Sequence, residues 1–293
     1  MRRNIGRKIQ PFLYLLPAIV ILIFIYLYSF ISLFKDSFYN ISTKTAVFVG
    51  LRNYINVFGD SLFWDSLLHN LIIIVVTLPV LIIFSILFAV FLYERIKGWK
   101  AYRVIVFLPY IFAITVIGIA FSYIFTYKGV LNYILNLLHL KFLALDWLGS
   151  PRVAIFTLIF VIIWKELGFG VILLYSRMMS IPEEIYDAAK VDGVSWWQNL
   201  RYITIPQLRS IIEFYAVIIV ITMLSWIFNY VYVMTSGGPG NSTNVAEYYI
   251  YRRAFQYNQM NVANTASVIL FIVTLILVFI RFKLERREEE IID

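Results

Sequence analysis

Lys165 and Glu166 interrupt an apolar stretch, 153–176, that holds no other charge, and a second stretch concentrates Thr222, Ser225, Trp226, Asn229 and Tyr230. A charged side chain at the centre of a membrane helix is disfavoured by roughly 2.5–3.5 kcal/mol on insertion scales. Such groups serve a partner, a wet cavity or a solute. Amide and hydroxyl groups beside aromatic rings suit a solute that presents both hydroxyls and weakly apolar faces. Ser225 and Asn229 are an i,i+4 pair and so share a face, and Trp226 and Asn229 are an i,i+3 pair. Lys165 and Glu166 are adjacent in sequence and are expected to diverge, each finding a separate partner or water, with Lys165 facing a cavity or a neighbouring subunit. Ser225, Trp226, Asn229, Tyr230 and Lys165 are thus the candidates for a solute pathway. The plainer alternative is polar contact between helices, worth ~0.6–2 kcal/mol each.

Other chemistry is missing from the chain. It has no cysteine and only two histidines, His69 and His139, and neither a GxxxxGK[ST] nor an HExxH sequence occurs. No phosphate loop, zincin site or thiol nucleophile can be built. The chain is expected to bind no metal or cofactor and not to be an enzyme. The acidic run Glu288-Glu289-Glu290 reads as a solvated charge run.

Elements that could position these residues follow from composition. Of 293 residues, 61% are hydrophobic and 14% charged; a soluble domain carries about 25% charged residues. Mean hydropathy is +0.82. An ordinary soluble enzyme, a disordered chain and a nucleic-acid-binding domain are excluded, and a polytopic membrane protein remains. A span needs about 20 apolar residues. Six are predicted, at about 11–34, 66–93, 104–126, 153–175, 211–234 and 262–280, in a single all-α integral membrane domain over 1–293. The first run is too long for a cleaved signal peptide and lacks an A-x-A-like site.

Arg2, Arg3, Arg7 and Lys8, then Arg95, Lys97, Lys100 and Arg103, then Arg177, Lys190, Arg201 and Arg209, and finally Arg281, Lys283, Arg286 and Arg287 fall on one side of these spans. The opposite loops hold half as many, in more residues. The positive-inside rule makes that side, with both termini, cytoplasmic. The net charge of +8 is therefore orientation code beside membrane lipid and no nucleic-acid footprint.

The longest cytoplasmic segment, about 177–207, predicts two short helices. Pro182 opens the first at its first turn, with Glu183, Glu184 and Asp187 at the positive end of the dipole. Gly193 ends it in a left-handed conformation. Ser195 caps the second, and Pro206 stops it before the fifth span. Two small residues, Ala188 and Ala189, flanked by acids and a Gly corner, suit close docking into a groove on a partner; a helix lying on lipid headgroups is the alternative.

The spacing Asp187-Ala188-Ala189-x3-Gly193-x9-Ile203-x-Ile205-Pro206 resembles the EAA loop of binding-protein-dependent ABC importer permeases, with Asp187 where that family prefers Glu and Ile205 where it prefers Leu. Leu51-Arg-Asn53-Tyr54, Leu108-Pro109, Trp164-Lys165, Met234-Thr-Ser-Gly237-Gly238-Pro239 and Tyr251-Arg-Arg-Ala-Phe255 extend the likeness over nearly the whole chain, toward the carbohydrate-uptake branch. The Thr-x-Gly-Gly-Pro feature resembles the maltose and glycerol-3-phosphate first permease subunits. The resemblance implies a type I importer permease: six helices with a coupling-helix loop between the fourth and fifth, paired with a second permease in a heterodimer. An ABC ATPase dimer using ATP and Mg would supply the energy, and an extracytoplasmic solute-binding protein, periplasmic or lipid-anchored, would deliver the solute. Glu184, Asp187, Ala188, Ala189, Asp192, Gly193 and Pro206 would couple to the ATPase, and Gly237, Gly238 and Pro239 would face the binding protein. The implied activity is import of a sugar or oligosaccharide across a bacterial or archaeal cytoplasmic membrane. A glycerol-3-phosphate or polyol-phosphate importer, or an ATP-independent secondary transporter, is the alternative.

Overall fold

The computed structural model describes residues 14–41 and 46–292, the side chains of 277, 278 and 280–292 excepted. Arg2, Arg3, Arg7, Lys8 and the side chains of Arg281, Lys283, Arg286, Arg287 and Glu288 to Glu290 lie outside the described residues. In chain order the elements are α1 (Tyr14–Asp36), β1 (Tyr39–Asn40), β2 (Val47–Phe48), α2 (Arg52–Phe58), α3 (Ser61–Tyr93), α4 (Trp99–Ile111), α5 (Ile114–Ile124) and α6 (Val130–Leu137). There follow α7 (Ala154–Met178), α8 (Glu183–Val191), α9 (Trp196–Asn199), α10 (Ile205–Met234), α11 (Ala246–Tyr251) and α12 (Met260–Ile292).

Among the described residues four helical runs are long and apolar enough to cross a membrane: α1, α3, α7 and the run from α9 through α10. The third expected span, 104–126, is not one rod. It consists of α4 and α5, bent by 100° at a break, where Phe112 and Ala113 adopt extended backbone (ψ 144° and 140°). Pro109 prepares the break, since its nitrogen cannot donate and its ring crowds the preceding turn. The sixth expected span lies in α12, where Met260–Ile276 is the apolar part among the described residues.

A second departure concerns Pro206. It does not end the helix before it. A π-helical turn, Leu200–Thr204, joins α9 to α10, with the Ile205 N–H donating to the Leu200 carbonyl, and Pro206 sits in the first turn of α10. The wider turn shifts the hydrogen-bond ladder where proline has no donor to offer. The helical run is thereby continuous over Trp196–Met234, 39 residues. At 1.5 Å per residue it is about 58 Å long, nearly twice the ~30 Å hydrocarbon core, so one end stands clear of the membrane.

The chain forms two compact units, Met1–Trp64 with Tyr249–Asp293, and Asp65–Tyr248. In the first, α12 packs on α1 and α2. Asn53 is its polar pin: buried, it donates to the Ser37 and Tyr39 carbonyls at 2.8 and 3.1 Å and accepts from Asn261 at 3.0 Å. Asp60 accepts from the Tyr249 hydroxyl at 2.7 Å and pairs with Arg253. In the second unit α7 is central. Of its most apolar window 61% is buried, against none of α1's. It packs on α4 and α10, and α10 on α5. Gly168 is the close point, because a Cβ there would lie 2.5 Å from the Val106 carbonyl oxygen of α4.

Candidate functional site

The second unit contains a recess of about 380 Å³ lined by Tyr110 of α4, Ile114 of α5, Lys165, Glu166 and Phe169 of α7, and Ile218, Ile219, Thr222 and Trp226 of α10. Lys165 and Glu166 do not take separate partners as expected: Lys165 Nζ lies 3.1 Å from Glu166 Oε1, and both residues are buried. Adjacent Cβ atoms on a helix do diverge, but four- and three-bond side chains are long enough to swing together. An unpaired charge at this depth would leave them strong reason to do so. The Tyr230 hydroxyl donates to the same Glu166 oxygen at 3.1 Å. Lys165 Nζ also stands 4.8 Å from the Tyr110 ring centroid, within cation–π reach.

Of the sequence candidates, Lys165 and Trp226 line the recess, and Tyr230 backs it through Glu166. Thr222, Trp226 and Tyr230 are successive i,i+4 positions and form one stripe. Ser225 and Asn229 form the adjacent stripe and lie outside the recess; Ser225 is exposed and Asn229 half-buried. Tyr110 and Phe169, stacked at 5.3 Å, were not singled out from sequence. Only their positions, just after Pro109 and one turn after Lys165, could have pointed to them.

The α8 loop has a different character. Pro182 is the N-cap rather than the first helical residue, so its carbonyl, not its ring, opens the helix. Gly193 has φ +70° and open space around its Cα. Ser195 and Gln198 form a reciprocal capping box at α9. Ile181, Tyr186 and Leu200 anchor the loop in a core with Ile86, Ala89, Val90, Leu174 and Met178. Tyr186 is buried there and Ala189 is buried as well, and burial pushes the Tyr186 phenol up. The opposite face holds Glu184, Asp187, Ala188 and Val191, all exposed, Val191 at 88%. Their 0, 3, 4, 7 spacing makes one continuous helical face. Asp192 is exposed just beyond it. Lys190 pairs with Asp187 at 2.9 Å, and that hydrogen bond raises its pKa. Such a solvent-exposed pair adds little stability. Trp196 Nε1 donates to Glu94 at 2.6 Å, fixing α9 to the end of α3.

The turn after α10 is held by side chains. Gly237 has φ +76°, and a Cβ there would meet the Tyr248 ring at 2.8 Å; the Gly238–Pro239 bond is cis. Thr243 donates to the Gly238 carbonyl at 2.7 Å. His69 Nδ1 lies 2.8 Å from the Asn244 carbonyl, so that nitrogen carries the proton. Asn70 accepts from the Ala246 N–H at 2.8 Å and donates to the Glu247 carboxylate at 3.0 Å. Burial pushes the Glu247 carboxyl up from 4.5 to about 7, against the opposing pull of the Asn70 hydrogen bond. The folded loop therefore binds the proton more tightly than the released loop. Its docking is strongest below pH 4.5, weakens as pH rises toward 7 and is level above. Hydrogen exchange over 236–251, corrected for intrinsic rates, is expected to show protection falling across that window. Glu247→Gln should flatten the profile; an unchanged profile in that variant would remove Glu247 as the cause.

Among the described residues no group of three or more His, Cys, Asp or Glu could hold a metal ion. Residues 47–287 match the family described as "Binding-protein-dependent transport system inner membrane component". The chain is 31% identical over 287 residues to the probable ABC transporter permease protein YurN of Bacillus subtilis (strain 168), covering 97% of this chain and 98% of that protein. It is 28% identical to the lactose transport system permease protein LacF of Rhizobium radiobacter, over 96% and 95% of the two. A bacterial ABC transporter involved in import of the acidic polysaccharide alginate has a chain of the same fold, with a TM-score of 0.85, 25% identity and coverage of 97% and 98%.

Proposed function

The chain belongs to the family of binding-protein-dependent transport system inner membrane components, and from that premise we propose that it is one permease subunit of an ATP-driven importer for a sugar or oligosaccharide. The observation that carries the solute class is the recess, where an ammonium, a carboxylate and the Thr222 hydroxyl stand beside the rings of Tyr110, Phe169 and Trp226. Aromatic faces suit the apolar faces of pyranose rings, and polar groups suit their hydroxyls. Ser225 and Asn229, on the neighbouring stripe, face the pathway shared with a second permease.

The Glu184, Asp187, Ala188, Val191 face of α8, with Tyr186 holding the helix to the core, Ala189 buried on the other side and Asp192 and Gly193 at its corner, is the coupling surface. It docks on an ABC ATPase dimer that binds ATP and Mg; this chain holds neither. Pro206, in the first turn of α10, lies within the continuous Trp196–Met234 rod that follows the Gly193 corner and carries Trp226, so closure of the ATPases, passed from α8 to that rod, moves the recess. One domain of six spans, with α4 and α5 as the third and α12 as the sixth, has both termini on the ATPase side. The Gly237-Gly238-Pro239 turn, pinned by Thr243 and the Asn70–Glu247 contact, faces an extracytoplasmic binding protein.

The test is uptake of labelled oligosaccharides into proteoliposomes bearing the complete transporter. Trp226→Ala and Asn229→Ala are each expected to lower uptake about tenfold, equivalent to ~1.4 kcal/mol, with subunit assembly unchanged. Wild-type rates in both would remove this region from the pathway.

A further inference from the structure

We propose that the Lys165–Glu166 pair makes the recess select neutral, hydroxyl-rich saccharides against anionic ones, with Glu166 as the specificity-determining residue. This rests on the reading of the recess as the solute site.

A lone ammonium in a low-dielectric wall is an anion receptor: it would draw carboxylate or phosphate groups strongly. Here Glu166 stands 3.1 Å from that ammonium and lines the same recess. The pair carries no net charge. A carboxylate or phosphate approaching Lys165 meets a second carboxylate at nearly the same distance, so attraction and repulsion offset each other. Glu166 is not free to turn away, since Tyr230 donates to the oxygen that also takes Lys165. Lys165 is held as well by the Tyr110 ring, 4.8 Å from its Nζ.

What the pair does offer is a donor and an acceptor side by side. A sugar hydroxyl both donates and accepts, whereas ionised carboxylates and phosphates accept only. Neighbouring hydroxyls on a pyranose can therefore engage both groups at once. Tyr110, Phe169 and Trp226 supply ring faces without charge.

The experiment measures binding of tritiated neutral oligosaccharides and tritiated oligogalacturonates to the detergent-solubilised complete transporter, with the binding protein omitted, at low and physiological salt. The wild type is expected to hold at least one neutral oligosaccharide about tenfold more tightly than any oligogalacturonate, with little salt dependence. Glu166→Gln should raise oligogalacturonate binding about tenfold and make it salt-sensitive. Lys165→Gln combined with Glu166→Gln, neutral again, should restore the neutral preference and separates charge from packing. If Glu166→Gln fails to assemble, the wild-type preference and the double variant decide. Equal binding of both classes by the wild type, or an assembled Glu166→Gln with an unchanged ratio, overturns charge selection and leaves the saccharide site standing. Binding of neither class by the wild type overturns the site reading itself, and this inference with it.

Discussion

Gly193→Asp is expected to reduce solute uptake by more than about a hundredfold while ATP hydrolysis by the partner subunits continues without solute. Two effects combine. Position 193 has φ +70°, where an L-residue is disfavoured by roughly 1–2 kcal/mol. Among the described residues nothing beyond its chain neighbours lies within 4 Å of a Cβ there, so a new carboxylate projects into open space next to the exposed Asp192. On a docked surface it becomes a buried unpaired charge, a defect of about 3–5 kcal/mol. Gly193→Asn separates the two effects, because Asn tolerates the left-handed region and adds no charge; it should be much milder. Ala188→Asp tests the same surface from the middle of the exposed α8 face and should behave like Gly193→Asp. Parallel uptake and ATPase assays in proteoliposomes read the result. Coupled transport at the wild-type rate in both Asp variants would mean that α8 is not the coupling surface.

The features behind that expectation were legible because they are written in local chemistry. Gly193, Ser195 and the acids before Ala188 are helix punctuation, and their effects act within one turn. The apolar runs that mark α1, α3 and α7 are equally local. Longer-range features were not legible. The 104–126 run gives no hydropathy signal at Phe112 and Ala113, and Pro109 alone could equally have produced a mild kink. Pro206 reads as a stop, but a π turn just before it absorbs the missing donor at no loss of continuity. The Lys165–Glu166 pairing was hidden because helix spacing rules govern Cβ directions, not the ends of long side chains. In a helix apolar all round, no periodicity tells which polar stripe is enclosed. The choice of Thr222, Trp226 and Tyr230 over Ser225 and Asn229 was made by packing of α10 against α7 and α5.

Gly168→Leu is expected to prevent assembly of the transporter, and Gly168→Ala to permit assembly with weakened uptake. The reason is what a side chain would meet. At Gly168 a Cβ lies 2.5 Å from the Val106 carbonyl oxygen and 3.0 Å from the Phe107 Cα. Both are backbone atoms, so no rotamer change relieves the clash and α4 must move off α7. Overpacking of this kind costs about 1–3 kcal/mol for small insertions, and leucine adds three further carbons to the same gap. Gly118 is the milder comparison: its Cβ would meet Val233 Cγ1 at 3.0 Å and Val233 Cβ at 3.2 Å, which asks the neighbouring helix to give by only a few tenths of an ångström, so Gly118→Ala should weaken assembly and uptake less than Gly168→Ala. The displacement also reaches the site. Tyr110 follows Val106 by one helical turn on α4, and its ring stands 4.8 Å from Lys165 Nζ. Moving α4 by even a fraction of an ångström loosens that contact, which is why the alanine variant should assemble yet transport poorly. Thermal melting and size-exclusion profiles of the solubilised complex distinguish the variants. A Gly168→Leu transporter that assembles and melts with the wild type would show that α4 and α7 do not pack through this glycine.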